Sequence, residues 1–271
     1  MTGSELAKIE ITQKMRYRCL KKINESVYKE YIDAAKECTA NRVYPLSIAN
    51  GIQTGEIYTD GMGSVLFLHY CGFAYISGDA NPEFLEEIYH EFLVSDTDRR
   101  FLLITDSLFI TDYYKNRDLL QLDRRVEYDH IRLPEKPPVL DDRFITERIT
   151  IDNIGSIQGR IVPSFSWQSS DAFLKRGFGF LVKKDSEFSA VAFSSAVSPE
   201  EVDIGVETSE AYRRNGLASY LAGRMCEEVI AQGKKPVWAH AETNEGSRKT
   251  ALSAGFRPSK VNTVIHKRRI V

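Results

Sequence analysis

The sequence is poor in the features that usually assign a class. Its 271 residues include four cysteines, Cys19, Cys38, Cys71 and Cys226. No two of them have the two-residue spacing of a zinc or redox site. They read as reduced thiols of a cytoplasmic protein. No apolar run reaches the roughly 18–20 residues that cross a bilayer, so no membrane partner is expected. Met1 to Glu10 lacks the apolar core of a secretory signal. Thirty-six basic residues against thirty-eight acidic ones leave a net charge of −2, which gives no reason to expect a nucleic-acid partner. No low-complexity tract is present. What remains is 42% hydrophobic and 27% charged residues, the composition of an ordinary globular chain.

The pattern along the chain is α/β. Leu20, Ile23, Val27, Tyr28 and Tyr31 recur at helical spacing. Val65 to Ile76 reads as strand, Asn81-Pro82 opens a helix through Phe92, and Phe101 to Thr105 reads as a buried strand. Leu108 to Arg117 reads as a short helix and Glu127 to Leu133 as a further strand. The run Pro134-Glu135-Lys136-Pro137-Pro138 fits neither a helix nor a central strand. It suggests a boundary between an N-terminal α/β domain, 1–135, and a second domain, 143–271. In the second part, Arg148 to Ile151 reads as strand and Ser169 caps a helix carrying Phe173 and Leu174. A hairpin follows over Gly177 to Val197. Val202, Ile204 and Val206 alternate with Asp203 and Gly205 as strand. A helix then spans Arg213 to Gln232, with Leu217, Leu221, Met225 and Val229 on one face. Val237 to Ala241 is strand, Ser247 to Ala254 helix, and Val261 to His266 strand.

The stretch from Val202 to Ala218 carries the chemistry. A strand runs out, turns, and meets Arg213-Arg214-Asn215-Gly216-Leu217-Ala218-Ser219 at the start of a long helix. The first N–H groups of a helix lack internal partners, and the helix dipole adds positive potential there. Such an end binds phosphate, and a glycine lets the phosphate approach the backbone. The lysine followed by serine or threonine of a P-loop is missing. Gly61-Met62-Gly63 precedes a strand instead of following one, so it is no dinucleotide fingerprint.

Arg213, Gly216 and Ala218, after the aromatic Tyr212, resemble motif A of the GNAT (general N-acetyltransferase) superfamily, Arg/Gln-x-x-Gly-x-Gly/Ala. Val237 to Ala241, Asn244, Ser247 and Ala254-Gly255-Phe256 resemble its motif B. The order and separation of the two fit the family. The likeness covers roughly Arg143 to Val271, and the whole chain resembles a bacterial GNAT-like branch with an added N-terminal domain. It implies the GNAT fold for the second half, a mixed, mostly antiparallel sheet flanked by helices. The smaller α/β domain in front of it is then a degenerate unit of the same kind.

The resemblance implies an N-acetyltransferase that uses acetyl-CoA as co-substrate, needs no metal, and acts on an amine of a small molecule or peptide by direct attack. It places the coenzyme at Val206, Arg213, Arg214, Asn215, Gly216, Leu217, Ala218, Ser219, Asn244 and Ser247, with Val206 near the oxyanion donor. An ammonium must lose a proton before it attacks a thioester. The carboxylates on the strand before motif A, Asp203 first and Glu207 second, are the candidate bases. The sequence departs from the family at Ala251, where many relatives carry a proton-donating tyrosine on the motif B helix. Tyr220, another group or water then protonates the thiolate. Alternatively, the protein binds acyl-CoA without catalysis. His240 reads as a packed histidine of its strand.

Overall fold

A computed structural model describes residues 20–96 and 99–268. Met1 to Glu10 and Cys19 lie outside the described residues. The strands are β1 (Lys21–Lys22), β2 (Gly55–Thr59), β3 (Val65–His69), β4 (Phe73–Ser77), β5 (Leu102–Thr105), β6 (Leu120–His130), β7 (Ile145–Arg148), β8 (Gly179–Lys184), β9 (Glu187–Val197), β10 (Glu201–Thr208), β11 (Lys235–Ala241) and β12 (Phe256–Lys267). They form one sheet in the order β1-β2-β3-β4-β5-β12-β6-β11-β10-β9-β8-β7. β4 with β5 and β10 with β11 pair in parallel, and every other neighbouring pair among the described strands is antiparallel. The helices are α1 (Ile32–Glu37), α2 (Val43–Ala49), α3 (Pro82–Ile88), α4 (Leu108–Tyr114), α5 (Ser170–Arg176), α6 (Leu217–Ala231) and α7 (Glu245–Ser253). None of them is long and apolar enough to cross a membrane.

The same order of elements occurs twice. β3, β4, α3, β5, α4 and β6 run in the first half; β9, β10, α6, β11, α7 and β12 run in the second. The last strand of each half crosses to the other. β6 pairs with β11 from Val237↔Asp129 to Ala241↔Arg125, and β12 pairs with β5 at Thr263↔Thr105. β6 and β12 pair with each other at the centre of the sheet. The proline-bearing stretch Pro134 to Pro138 follows this central strand β6. That stretch joins β6 to β7, yet β6 lies between two strands that come after it. A strand lent across a sheet leaves no mark in local sequence, because its partners are set by non-local pairing.

Three apolar clusters hold the sheet. One lies under α6 and α7, with Leu217, Leu221, Met225 and Val229 buried as the helical stripe requires. One surrounds Tyr44 of α2 and joins β3, β4, β5, β9 and β12. One packs α3 and α4 on the first half. Cys38, Cys71 and Cys226 are buried free thiols. Burial pushes the Cys226 thiol up to about 12, so it is a packing group and not a nucleophile.

Several boundaries differ from the sequence pattern. Val65 to Ile76 is two strands, because Gly72 turns the chain at φ +86° and a Cβ there would meet the Arg100 carbonyl oxygen at 2.4 Å. β6 begins at Leu120, seven residues before the expected strand, through a charged run that shows no alternation. β7 ends at Arg148, where the expected strand begins. The long helix begins at Leu217 and not at Arg213.

Candidate functional site

β10 and β11 pair only over Glu201↔Lys235, Val202↔Pro236 and Asp203↔Val237. Beyond Asp203 the two strands part, while β11 stays paired with β6 as far as Ala241 and β10 stays paired with β9 as far as Thr208. A wedge-shaped opening results. Its apex is at Asp203, next to a register shift between Asp203 and Ile204. In an antiparallel pair, alternate residues turn their N–H and C=O toward or away from the partner. The Ser209 N–H donates to the Ser189 carbonyl. The register then turns the backbone polar groups of Val206 and Thr208 away from β9, into the opening. Continuing the parallel register by three residues sets Val206 level with His240.

The far end of β10 leads into the helix start. A 3-10 turn over Glu210–Tyr212 precedes Arg213, which is extended, and Arg214, which is left-handed at φ +66°. The Asn215 side-chain amide donates to the carbonyls of Tyr212 and Arg213 and fixes the turn. Gly216 caps α6 at φ +77° with no side-chain hydrogen bond. A Cβ on Gly216 meets nothing within 4 Å, so backbone conformation, not crowding, calls for glycine here. Arg213 to Gly216 are exposed and Leu217 is buried. Among the described residues no acceptor takes the N–H groups of Gly216, Leu217 or Ala218. The helix start is open, backed by a 15-residue helix and flanked by two arginines. These residues fit a pyrophosphate. The corresponding start in the first half does not. There Pro82 has no N–H, and the Asn81 side chain accepts from the Phe84 N–H at 2.8 Å.

Motif B forms the other wall. Asn244 caps α7 by accepting from the Ser247 N–H at 3.0 Å, and Trp238 Nε1 donates to Ser247 Oγ at 3.0 Å. Asn244 is exposed, and its amide Nδ2 has no partner among the described residues. Gly255 has φ +90°, and a Cβ there would lie 1.8 Å from the Arg132 carbonyl oxygen. The glycine of the Gly-Phe pair thus lets the chain pass the end of β6. Ala251 is fully buried in the core under α6. Tyr220 accepts a bond from Thr146, and Ser253 bonds Ser219.

Asp203 sits at the apex, 4% exposed. Tyr44 Oη donates to its Oδ2 at 2.7 Å, and Ser195 Oγ lies 3.2 Å from Tyr44 Oη. The one phenolic proton goes to the carboxylate, so the serine donates to the tyrosine. Oδ1 is buried with no partner. Burial raises the carboxyl to about 6, against the opposing pull of Arg125 and the Tyr44 bond. Glu207 lies on the same face two alternations on. Its Oε2 accepts from the Ile161 N–H at 3.0 Å and ties the 157–165 loop to β10.

His240 is buried beside Tyr128 of β6, with Nε2 3.0 Å from the phenol oxygen. Its Nδ1 lies 2.8 Å from the Ala241 carbonyl, which can only accept. Burial favours the neutral ring, so Nδ1 carries the proton and Nε2 accepts from Tyr128. Sequence reasoning missed Tyr44, Arg125 and Tyr128. All three belong to the first 135 residues, and no local pattern marks them.

The GNAT acetyltransferase family model matches residues 35–264. Among solved structures, a GCN5-related N-acetyltransferase-like protein from Streptococcus suis is 17% identical, covering 90% of this chain and all of that one with a TM-score of 0.71. A GNAT-family acetyltransferase from Novosphingobium aromaticivorans is 16% identical over 90% of this chain and 97% of its own, with a TM-score of 0.53. A tandem GNAT protein from the clavulanic acid biosynthesis pathway is 11% identical over 92% and 98%, with a TM-score of 0.58. At these identities the likeness is one of fold. No curated protein matches in sequence. With the family model spanning most of the chain and the wedge and helix start in place, the chain belongs to the GNAT acetyltransferase family.

Proposed function

We propose that the protein moves an acetyl group from acetyl-CoA to an amine of a small molecule or peptide, by direct attack in the opening between β10 and β11. The observation that carries this reading is the parting of the two strands beyond Asp203 beside an unpartnered helix start. Acetyl-CoA supplies an acyl carbon already activated as a thioester. The turn Arg213, Arg214, Asn215, Gly216, Leu217, Ala218 and Ser219 holds the pyrophosphate, and Asn244 with Ser247 flanks the pantetheine arm. The Val206 N–H points into the opening as the donor for the oxyanion. Asp203 Oδ1 takes the proton of the acceptor ammonium while Tyr44 holds Oδ2. Glu207 remains a second carboxylate on the same face and orders the 157–165 loop. Tyr128, paired with His240 level with Val206, stands in for the tyrosine that Ala251 replaces. The first half keeps the order of elements but has a closed helix start, so we assign the coenzyme to the second half alone.

Release of free thiol from acetyl-CoA over a panel of primary amines tests this reading. Amine-dependent release that disappears in Gly216→Glu is the expected result. Tight coenzyme A binding with no release for any amine would mark a non-enzymatic acyl-CoA-binding protein.

A further inference from the structure

Beside the opening lies a group of cations that the proposed chemistry does not use. Phe73, the first residue of β4, carries two guanidiniums on its ring. Arg125 Cζ is 4.9 Å from the ring centroid and Arg100 Cζ 5.1 Å. Arg100 also lies 5.2 Å from the Phe165 ring, which meets Phe73 edge-on at 6.0 Å. Each arginine has one neutral partner. Arg125 donates to the Ala239 carbonyl at 3.0 Å, and Arg100 to the Cys71 carbonyl at 3.0 Å. Among the described residues no carboxylate oxygen comes within 4.0 Å of either guanidinium. The near carboxylates bond elsewhere through one oxygen each: Glu127 Oε1 accepts from Asn262, and Asp203 Oδ2 accepts from Tyr44. Arg125 Nε is buried with no partner. Arg100 is exposed and Arg125 half-buried, so the pair is open to a ligand on one side.

Two like charges on one ring repel, and this arrangement is stable only with compensation. The aromatic face supplies part of it. Asp203 and Glu127 add a longer-range pull on Arg125, and a guanidinium fork matches a carboxylate in two parallel hydrogen bonds. The group stands next to the proposed base. Phe73 packs edge-on against Tyr44 at 5.3 Å, and Tyr44 bonds Asp203. Arg125 lies opposite Ala241 and bonds β11, the wall of the opening that faces β10. The loop carrying Phe165 follows the segment that Glu207 holds to β10.

Resting on the reading of the opening as the transfer site, we propose that the acceptor is an amine that also carries a carboxylate. Arg100 and Arg125 hold the carboxylate against Phe73, and the ammonium turns toward Asp203 Oδ1. The carboxylate selects the acceptor and the base prepares it.

The test compares the twenty standard amino acids with their carboxamides as acceptors, and O-phosphoethanolamine with ethanolamine. At least one amino acid is expected to exceed its amide by about tenfold or more in kcat/KM, as loss of a charge-assisted bond implies. Arg100→Gln is expected to raise KM for that acid about tenfold while leaving the amide little changed; Arg125→Gln raises KM for the acid as well, but it also removes a charge that acts on Asp203, so it affects both acceptors. Arg100→Lys restores part of the loss. Equal rates for acids and amides, an equal loss on both in Arg100→Gln, or a preference for the phosphate-bearing amine would each overturn the proposal. Transfer to neutral amines alone would overturn it and leave the transferase reading standing. If no amine is acetylated, thermal shift with the amino acids reads the anion site directly. Stabilisation by an acid and not by its amide, absent in Arg100→Gln, supports it; no stabilisation by any acid refutes it.

Discussion

Replacing Asp203 by asparagine separates the cost of the site from its use. The carboxylate is 4% exposed and burial raises its pKa to about 6, against about 3.9 for an unperturbed aspartate. The folded state therefore binds this proton more tightly than the unfolded chain does. Its contribution to stability is fully present below about pH 4 and is lost as pH rises through about 6. Two pH units correspond to roughly 3 kcal/mol. The isosteric asparagine keeps an oxygen for the Tyr44 hydroxyl and carries no charge to desolvate. Urea unfolding of both proteins from pH 4 to pH 7 should show the wild type losing stability over that window relative to Asp203→Asn, by a few kcal/mol at most. Activity should move the other way. General-base assistance is worth about 10²–10⁴-fold, so kcat/KM should fall at least about tenfold at neutral pH, and the gap should close as the amine deprotonates unaided. The wild-type kcat/KM should rise with pH through about 6, and the variant should lack that limb. Unchanged activity with the same acidic limb, or parallel stability profiles, would refute the assignment of Asp203.

Gly255→Ala sets a Cβ against the Arg132 carbonyl at a positive φ; it should cost several kcal/mol or prevent folding, as read by thermal melting. Tyr128→Phe removes the hydroxyl paired with His240; kcat should fall about tenfold with KM little changed, and an unchanged kcat would return the proton to water. A fragment beginning at Arg143 lacks β6 and so bares the facing edges of β11 and β12; it should aggregate, and a soluble, coenzyme-binding fragment would show that the second half folds alone.

The candidate site was legible in the sequence where its parts are local. A helix start marked by Arg213 and Gly216, and a capped helix closed by Gly255-Phe256, are short patterns with a physical cause. The alternation over Val202 to Glu207 sorted Asp203 and Glu207 onto one face. The left-handed Arg214 was not legible, because a charged residue is no signal for positive φ. Nor was the exchange of β6 and β12, which depends on strands more than a hundred residues apart. Arg100, Arg125, Tyr44 and Tyr128 reach the proposed site only through that exchange and through α2. Read in sequence, they are ordinary charges and aromatics of another unit.

Everything proposed for the opening depends on the turn before α6 gripping the coenzyme. Calorimetric titration of coenzyme A into the wild type and into Gly216→Glu tests it most directly. One site per chain is expected in the wild type, with affinity lost at least about a hundredfold in the variant, where a carboxylate and a strained φ occupy the anion's place. Equal affinity in the two proteins would contradict it.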